Sequence, residues 1–119
     1  MRAYVVAVVL MCALSLTAAG RTEEGEVECG NAESWTKYRS DQENKDIREV
    51  ERIFTFSKQF CRPPKIHLSV TYLDAAWNKN VRYEARLASV NETHVRINCR
   101  TWDDSEINNM RISFVAISD

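Results

Sequence analysis

From Ile66 onward the apolar residues of this chain recur at every second position in run after run. Ile66, Leu68, Val70 and Tyr72 alternate with His67, Ser69 and Thr71, and Val81, Tyr83, Ala85 and Leu87 alternate with Arg82, Glu84 and Arg86. Val95, Ile97 and Cys99 stand opposite His94, Arg96 and Asn98, and Met110, Ile112, Phe114 and Ala116 stand opposite Arg111, Ser113 and Val115. A two-residue period sends successive side chains to opposite faces of an extended backbone, so each run reads as a half-buried strand. Turn-length gaps join the runs, and no long amphipathic stretch is available as a parallel crossover helix, so the strands should pair antiparallel. With a shorter β-prone run at 53–56, ahead of the break at Pro63-Pro64, the pattern predicts an all-β protein, an antiparallel β-sandwich of about six strands.

The rest of the chain is placed around these runs. Residues 46–52 are compatible with a short helix but too charged to give one an apolar face, and they read as strand from Ile47 onward. Residues 21–28 have no apolar period and read as a flexible lead-in to Cys29, with the core starting near Trp35. The uninterrupted polar run 40–46 reads as an exposed loop, and such loops often carry binding groups.

The first segment differs in kind. Arg2 precedes an almost wholly apolar run over 4–16, and the small residues Thr17, Ala18, Ala19 and Gly20 follow. This is the layout of a secretory signal peptide, and the run is shorter than the ~20 apolar residues of a membrane span. The expected organisation is therefore a signal peptide over 1–20 and one domain over 21–119, secreted to the extracellular space without membrane insertion. Lys and Arg number 16 against 17 Asp and Glu, and the basic residues are scattered, so nothing marks a nucleic-acid partner.

Cleavage would remove Cys12 and leave Cys29, Cys61 and Cys99 in an oxidising compartment. Three thiols cannot all pair within one chain, and the sequence does not say which stays free or bonds to another chain. A bridge between Cys29 and Cys99 would close a loop of about 70 residues, worth roughly 4 kcal/mol on the loop-entropy model, and would leave Cys61 for an interchain bond. Such a staple matters in a sandwich this small. The sequon Asn91-Glu92-Thr93 lies between two strand runs, where a surface turn would expose Asn91 for glycosylation.

No motif specifies catalysis. The chain has no Cys-x-x-Cys, no His-x-x-x-His and no glycine-rich phosphate loop, so neither a metal nor a cofactor is expected and the protein does not read as an enzyme. His67 and His94 fall on polar strand faces, where a solvated or hydrogen-bonded ring is the ordinary case. Asp103, Asp104 and Glu106 gather carboxylates but lack the spacing and glycine of a calcium loop, and read as a charged turn. Trp102, on the polar side of its strand just before that turn, offers a flat apolar face suited to the C–H side of a sugar ring, with charged neighbours for the hydroxyls.

A set of residues then carries a family likeness: Cys29-Gly30, Trp35, Arg48-Glu49, Phe56, Phe60 before Cys61-Arg62-Pro63-Pro64, Leu73-Asp74, Asn80, Arg82, Ala85-Arg86-Leu87, and Cys99 with Thr101-Trp102. In these residues, over about 27–117, the chain resembles the H-type lectins. The resemblance implies a six-stranded sandwich that assembles as a trimer or as two trimers joined into a hexamer. It implies a Cys29–Cys99 bridge within the chain and Cys61 linking chains. It also implies terminal N-acetylgalactosamine or galactose as ligand, held between protomers by an aspartate and an arginine beside a tryptophan, for which Asp46, Arg82 and Trp102 stand at the matching positions.

The family commonly carries a histidine after that tryptophan and a tyrosine further on, where this chain has Asp103 and Asn108. An added carboxylate should repel anionic sugars, and two missing rings should weaken packing against an N-acetyl group. The expected function is that of a secreted multivalent lectin that agglutinates cells, in innate defence or egg protection as the resemblance implies. Two rivals stand beside it: a structural or protein-interaction module that has lost the sugar site, and a hydrolase built on Asp46 with Asp103 or Asp104, for which no base or nucleophile is specified.

Overall fold

A computed structural model describes residues 20–40 and 45–118, the side chain of Lys45 aside. The signal peptide expected over 1–20, with Cys12, lies outside the described residues except for Gly20. The chain folds into two antiparallel sheets. Strands β1 (Thr22–Glu28), β7 (Ile107–Ile117) and β4 (Lys65–Ala75) form a three-stranded sheet in the order β1-β7-β4. Strands β2 (Thr36–Ser40), β3 (Lys45–Thr55), β6 (His94–Trp102) and β5 (Tyr83–Val90) form a four-stranded sheet in the order β2-β3-β6-β5.

β6 and β7, each flanked by strands on both sides, show the alternation most fully, with one face buried. On β6, Val95, Ile97, Cys99 and Thr101 are buried, and on β7, Met110, Ile112, Phe114 and Ala116 are buried. The aromatic part of the core is built edge to face, with ring centroids 4.8 Å apart for Phe54 and Phe114 and 4.9 Å for Phe56 and Phe60. The core starts before Trp35, where it was expected, because β1 and the segment after that strand contribute Val27, Cys29 and Ala32; Trp35, 3% exposed, donates its indole N–H to the Cys29 carbonyl at 2.8 Å. The disulfide joins Cys29, just past β1 in one sheet, to Cys99 on β6 in the other.

The described residues hold seven strands, not six: 46–52 and 53–55 fall in one strand, β3, and two strands hidden from the hydrophobic pattern, β1 and β2, are added. Residues 21–28, read as a flexible lead-in, contain β1, which pairs with β7 from Thr22↔Ile117 to Glu28↔Arg111. Only Val27 of β1 is buried, so backbone bonds to β7 and not an apolar period make it a strand. Gly25 lies opposite Phe114, where a Cβ would sit 2.6 Å from the Phe114 ring and 2.8 Å from that of Phe54. Gly25→Ala is therefore expected to destabilise the fold by about 1–3 kcal/mol in urea titration, from overpacking. An unchanged midpoint would mean that the two rings yield freely.

β2 has no buried residue and is held by its ladder to β3, from Thr36↔Glu49 to Ser40↔Lys45. Of the polar run 40–46, read as an exposed loop, Ser40 belongs to β2 and Lys45 and Asp46 to β3, while 41–44 lie outside the described residues. Residues 46–52 are strand, as read.

Two details of alternation also differ. A register shift between Val70 and Tyr72 turns Leu73 inward and leaves Tyr72 43% exposed, with the Arg111 guanidinium 4.8 Å over its ring. β5 begins at Tyr83, leaving Val81 in the preceding connection, and Tyr83 and Leu87 are each 42% exposed. β5 is the outer strand of the wider sheet, so the three-stranded sheet leaves it partly uncovered.

Candidate functional site

Three segments meet where β6 ends: the start of β3, the β4–β5 connection over 76–82, and the β6–β7 turn over 103–106. The turn is tight, and Asp103 takes φ 56°, a left-handed backbone that aspartate tolerates better than most side chains. Arg48 fixes it from β3, its guanidinium donating to the Ser105 carbonyl at 2.7 Å and the Asp103 carbonyl at 2.8 Å. The Asp103 N–H in turn donates to the Asp46 carbonyl at 2.9 Å.

The β4–β5 connection is tied to the same turn. Ala76 N–H donates to the Glu106 carbonyl at 2.9 Å, Arg82 N–H donates to Ser105 Oγ at 2.7 Å, and Ser105 Oγ–H donates to the Asn80 carbonyl at 2.5 Å. Thr101 Oγ–H donates to the Arg82 carbonyl. Ser105 and Thr101 are fully buried, so these hydroxyls satisfy loop backbone groups that would otherwise lose water without replacement.

That framework places the Arg82 side chain beside the acidic turn. Arg82 Nη1 lies 2.7 Å from Asp104 Oδ1 and Arg82 Nε lies 3.7 Å from Asp103 Oδ2, with the guanidinium one-third exposed. Desolvation pushes the Asp104 carboxyl up, but the hydrogen bond from Arg82, backbone donors at Asp104 and Asn80, and the Arg82 charge together hold it below the ordinary carboxylate value. Asp104 therefore keeps its charge, and its bond to Arg82, to a lower pH than an unperturbed aspartate would.

Asp46 and Asp103 line one open cleft of about 440 Å³ with Lys37, Tyr38, Ile47 and Arg48. The Tyr38 phenol is raised above its ordinary value, first by desolvation and then by the charge of Glu49 and a hydrogen bond to it. Asn108 lies instead in an adjoining cleft of about 250 Å³ with Glu106, Ile107 and Asn31, and Lys37 and Arg48 line both spaces. Trp102 is half-buried opposite Ile47 on β3 and is not among the side chains lining either cleft.

Four of the five site residues expected from sequence, Asp46, Arg82, Trp102 and Asp103, thus gather at one end of the sandwich within a single chain, while Asn108 occupies the neighbouring cleft. Lys37 and Tyr38 were not foreseen, since β2 carries no periodic apolar signal. Arg48 was visible in the family likeness, but its task of holding the turn was not. Chemically, the rim offers carboxylate acceptors and guanidinium and ammonium donors to a neutral, hydroxyl-rich ligand. Among the described residues no three His, Cys, Asp or Glu side chains converge on a common metal position, and no helix is long and apolar enough to cross a membrane.

The fold is a two-sheet antiparallel sandwich with polar clefts beside the β6–β7 turn. The chain belongs to the H-type lectin family: the H-type lectin domain matches residues 51–117, more than half of its length. No curated protein shows a significant match to the chain. Among solved structures, the native structure of recombinant discoidin II of Dictyostelium discoideum superposes with a TM-score of 0.69 at 19% identity, covering 85% of this chain and 38% of that one. Wild-type discoidin II from the same organism gives the same TM-score and identity, with 37% of its chain covered. The chain thus spans less than two-fifths of the discoidin II chains, and at this identity the likeness speaks for the fold alone.

Proposed function

We propose that the protein is a secreted, multivalent lectin that binds terminal galactose or N-acetylgalactosamine at the rim formed by Asp46, Arg82 and Asp103, with Trp102 beside it. The observation that carries this reading is the partly exposed Arg82 guanidinium set against Asp103 and Asp104 in a domain of the H-type lectin family. A guanidinium donates to sugar oxygens and a carboxylate accepts from paired hydroxyls, so both kinds of bond are charge-assisted. Rim carboxylates disfavour sialylated ligands. No nucleophile with a base is needed for such a role, and the proposal includes no enzymatic step, metal or cofactor.

Secretion follows from the signal peptide proposed over 1–20, and it agrees with the Cys29–Cys99 disulfide. Asn91 forms the β5–β6 turn, its Oδ1 accepting from the Thr93 and His94 N–H groups and from Thr93 Oγ, and the proposal includes its glycosylation there. Assembly as a trimer or hexamer would present several weak sites together and raise avidity by about 10²–10⁴ on repeated glycans. Agglutination in innate defence or egg protection would follow.

Cys61 is a half-buried free thiol next to the Pro63-Pro64 turn, and the proposal pairs it with another chain. Cys61→Ser is expected to convert a disulfide-linked dimer to monomer on a non-reducing gel while the melting curve stays unchanged. A gel identical to that of the native protein would remove the interchain bond from the model of assembly.

One observation favours the rival reading of an interaction module without sugar binding: the Arg82 guanidinium is already occupied by Asp104, and Asn108 stands in a separate cleft. A glycan array with the intact oligomer, with and without EDTA, separates the two. Selective, EDTA-insensitive binding to galactose-type ligands supports the lectin; a blank array supports the module.

A further inference from the structure

Trp77 is 95% exposed, the most exposed of the large hydrophobic side chains among the described residues. It is not on a frayed end. The bond from Lys79 N–H to the Ala76 carbonyl, at 3.4 Å, closes a turn with Trp77 and Asn78 at its tip. On the entry side Ala76 is tied to Glu106, and on the exit side Asn80 and Arg82 are tied to Ser105. Both stems of the Trp77 turn are therefore anchored to the segment that carries Asp103 and Asp104, and the turn runs directly into Arg82.

We propose that Trp77 is the platform of a second sugar subsite, on which the ring next to the terminal residue of an oligosaccharide stacks. The inference rests on the sugar-binding reading of the Arg82 rim. A bare indole exposes its whole face to water, and covering it with the C–H face of a pyranose recovers that cost. Its neighbours Asn78, Lys79 and Asn80 carry amide and ammonium groups that suit hydroxyls. The same neighbours argue against a dry protein contact, whose centre is depleted in charged groups. Because the turn is held at both stems, stacking requires little ordering of the loop.

The test compares galactose and N-acetylgalactosamine with tetrasaccharides ending in the same sugars, by isothermal titration on the full oligomer. The native protein should bind the matching tetrasaccharide about tenfold more tightly than the monosaccharide. Trp77→Ala should abolish that advantage and leave monosaccharide affinity unchanged, and Trp77→Phe should restore most of it. The subsite is overturned if Trp77→Ala keeps the tetrasaccharide advantage, if it weakens monosaccharides equally, or if it shifts the sedimentation coefficient, which would make Trp77 an interface residue. If the native protein binds none of these sugars, the lectin reading of the rim falls and the subsite falls with it.

Discussion

Arg82→Ala is expected to lower affinity for galactose-type sugars by about a hundredfold or more while leaving the fold and the oligomer intact. The separation of the two effects follows from how Arg82 is built in. Its structural bonds are made by its backbone, the N–H to Ser105 Oγ and the carbonyl from Thr101 Oγ, and alanine keeps both. Its side chain, one-third exposed, bonds to the half-exposed carboxylates of the turn, and pairs of that kind add little to stability. What the substitution removes is a partly exposed guanidinium held against Asp103 and Asp104, whose carboxylates then lose their cation.

The Lys substitution sharpens the reading. Arg82→Lys keeps the charge but loses the planar fork, and should fall between native protein and Ala. Asp46→Ala should remove binding in the same titration, since Asp46 lines the cleft with Asp103. Normal sugar binding by Arg82→Ala, with an unchanged sedimentation profile, would place the site elsewhere on the molecule.

Why so much of the fold was legible, and some of it was not, comes down to which strands have a buried face. β6 and β7 bury every second side chain, so their period is written in apolar residues: Val95, Ile97 and Cys99 on one, Met110, Ile112 and Phe114 on the other. β1 and β2 lie at sheet edges and are recruited by backbone bonds to β7 and β3, which leave no mark in hydrophobicity. Tyr72 was misplaced because one extra residue in β4 flips every side chain beyond it, and a bulge is invisible to a two-residue count. At the site, the family likeness reached Asp46, Arg82, Trp102 and Asp103. The bonds that gather them run from Arg48 to 103–105 and from Ser105 to 80–82, and such long-range ties through backbone carbonyls have no local pattern to read.

The disulfide carries the other large effect. Replacing Cys29 and Cys99 together by alanine is expected to destabilise each protomer by about 2–5 kcal/mol, a fall in Tm of roughly 10 °C or more for a domain of this size. The bond closes a sequence separation of 70 residues, so cutting it releases a long loop in the unfolded chain, and the entropy model places the loss near 4 kcal/mol. It also ties the exit of β1 in one sheet to β6 in the other, across a core where both sulfurs are fully buried. The protomer should nonetheless fold, because the Cys29 backbone has partners of its own: its N–H donates to Met110 at 2.7 Å, and its carbonyl accepts from Trp35 at 2.8 Å and from Arg52 at 3.0 Å. Replacing both cysteines avoids a lone Cys99 thiol that could exchange with Cys61 and blur the gel result. Reduction of the native protein should reproduce the loss on a thermal melt. If both the double variant and the reduced protein melt where the oxidised protein does, the two sheets are held by packing alone, and the staple's contribution lies outside equilibrium stability.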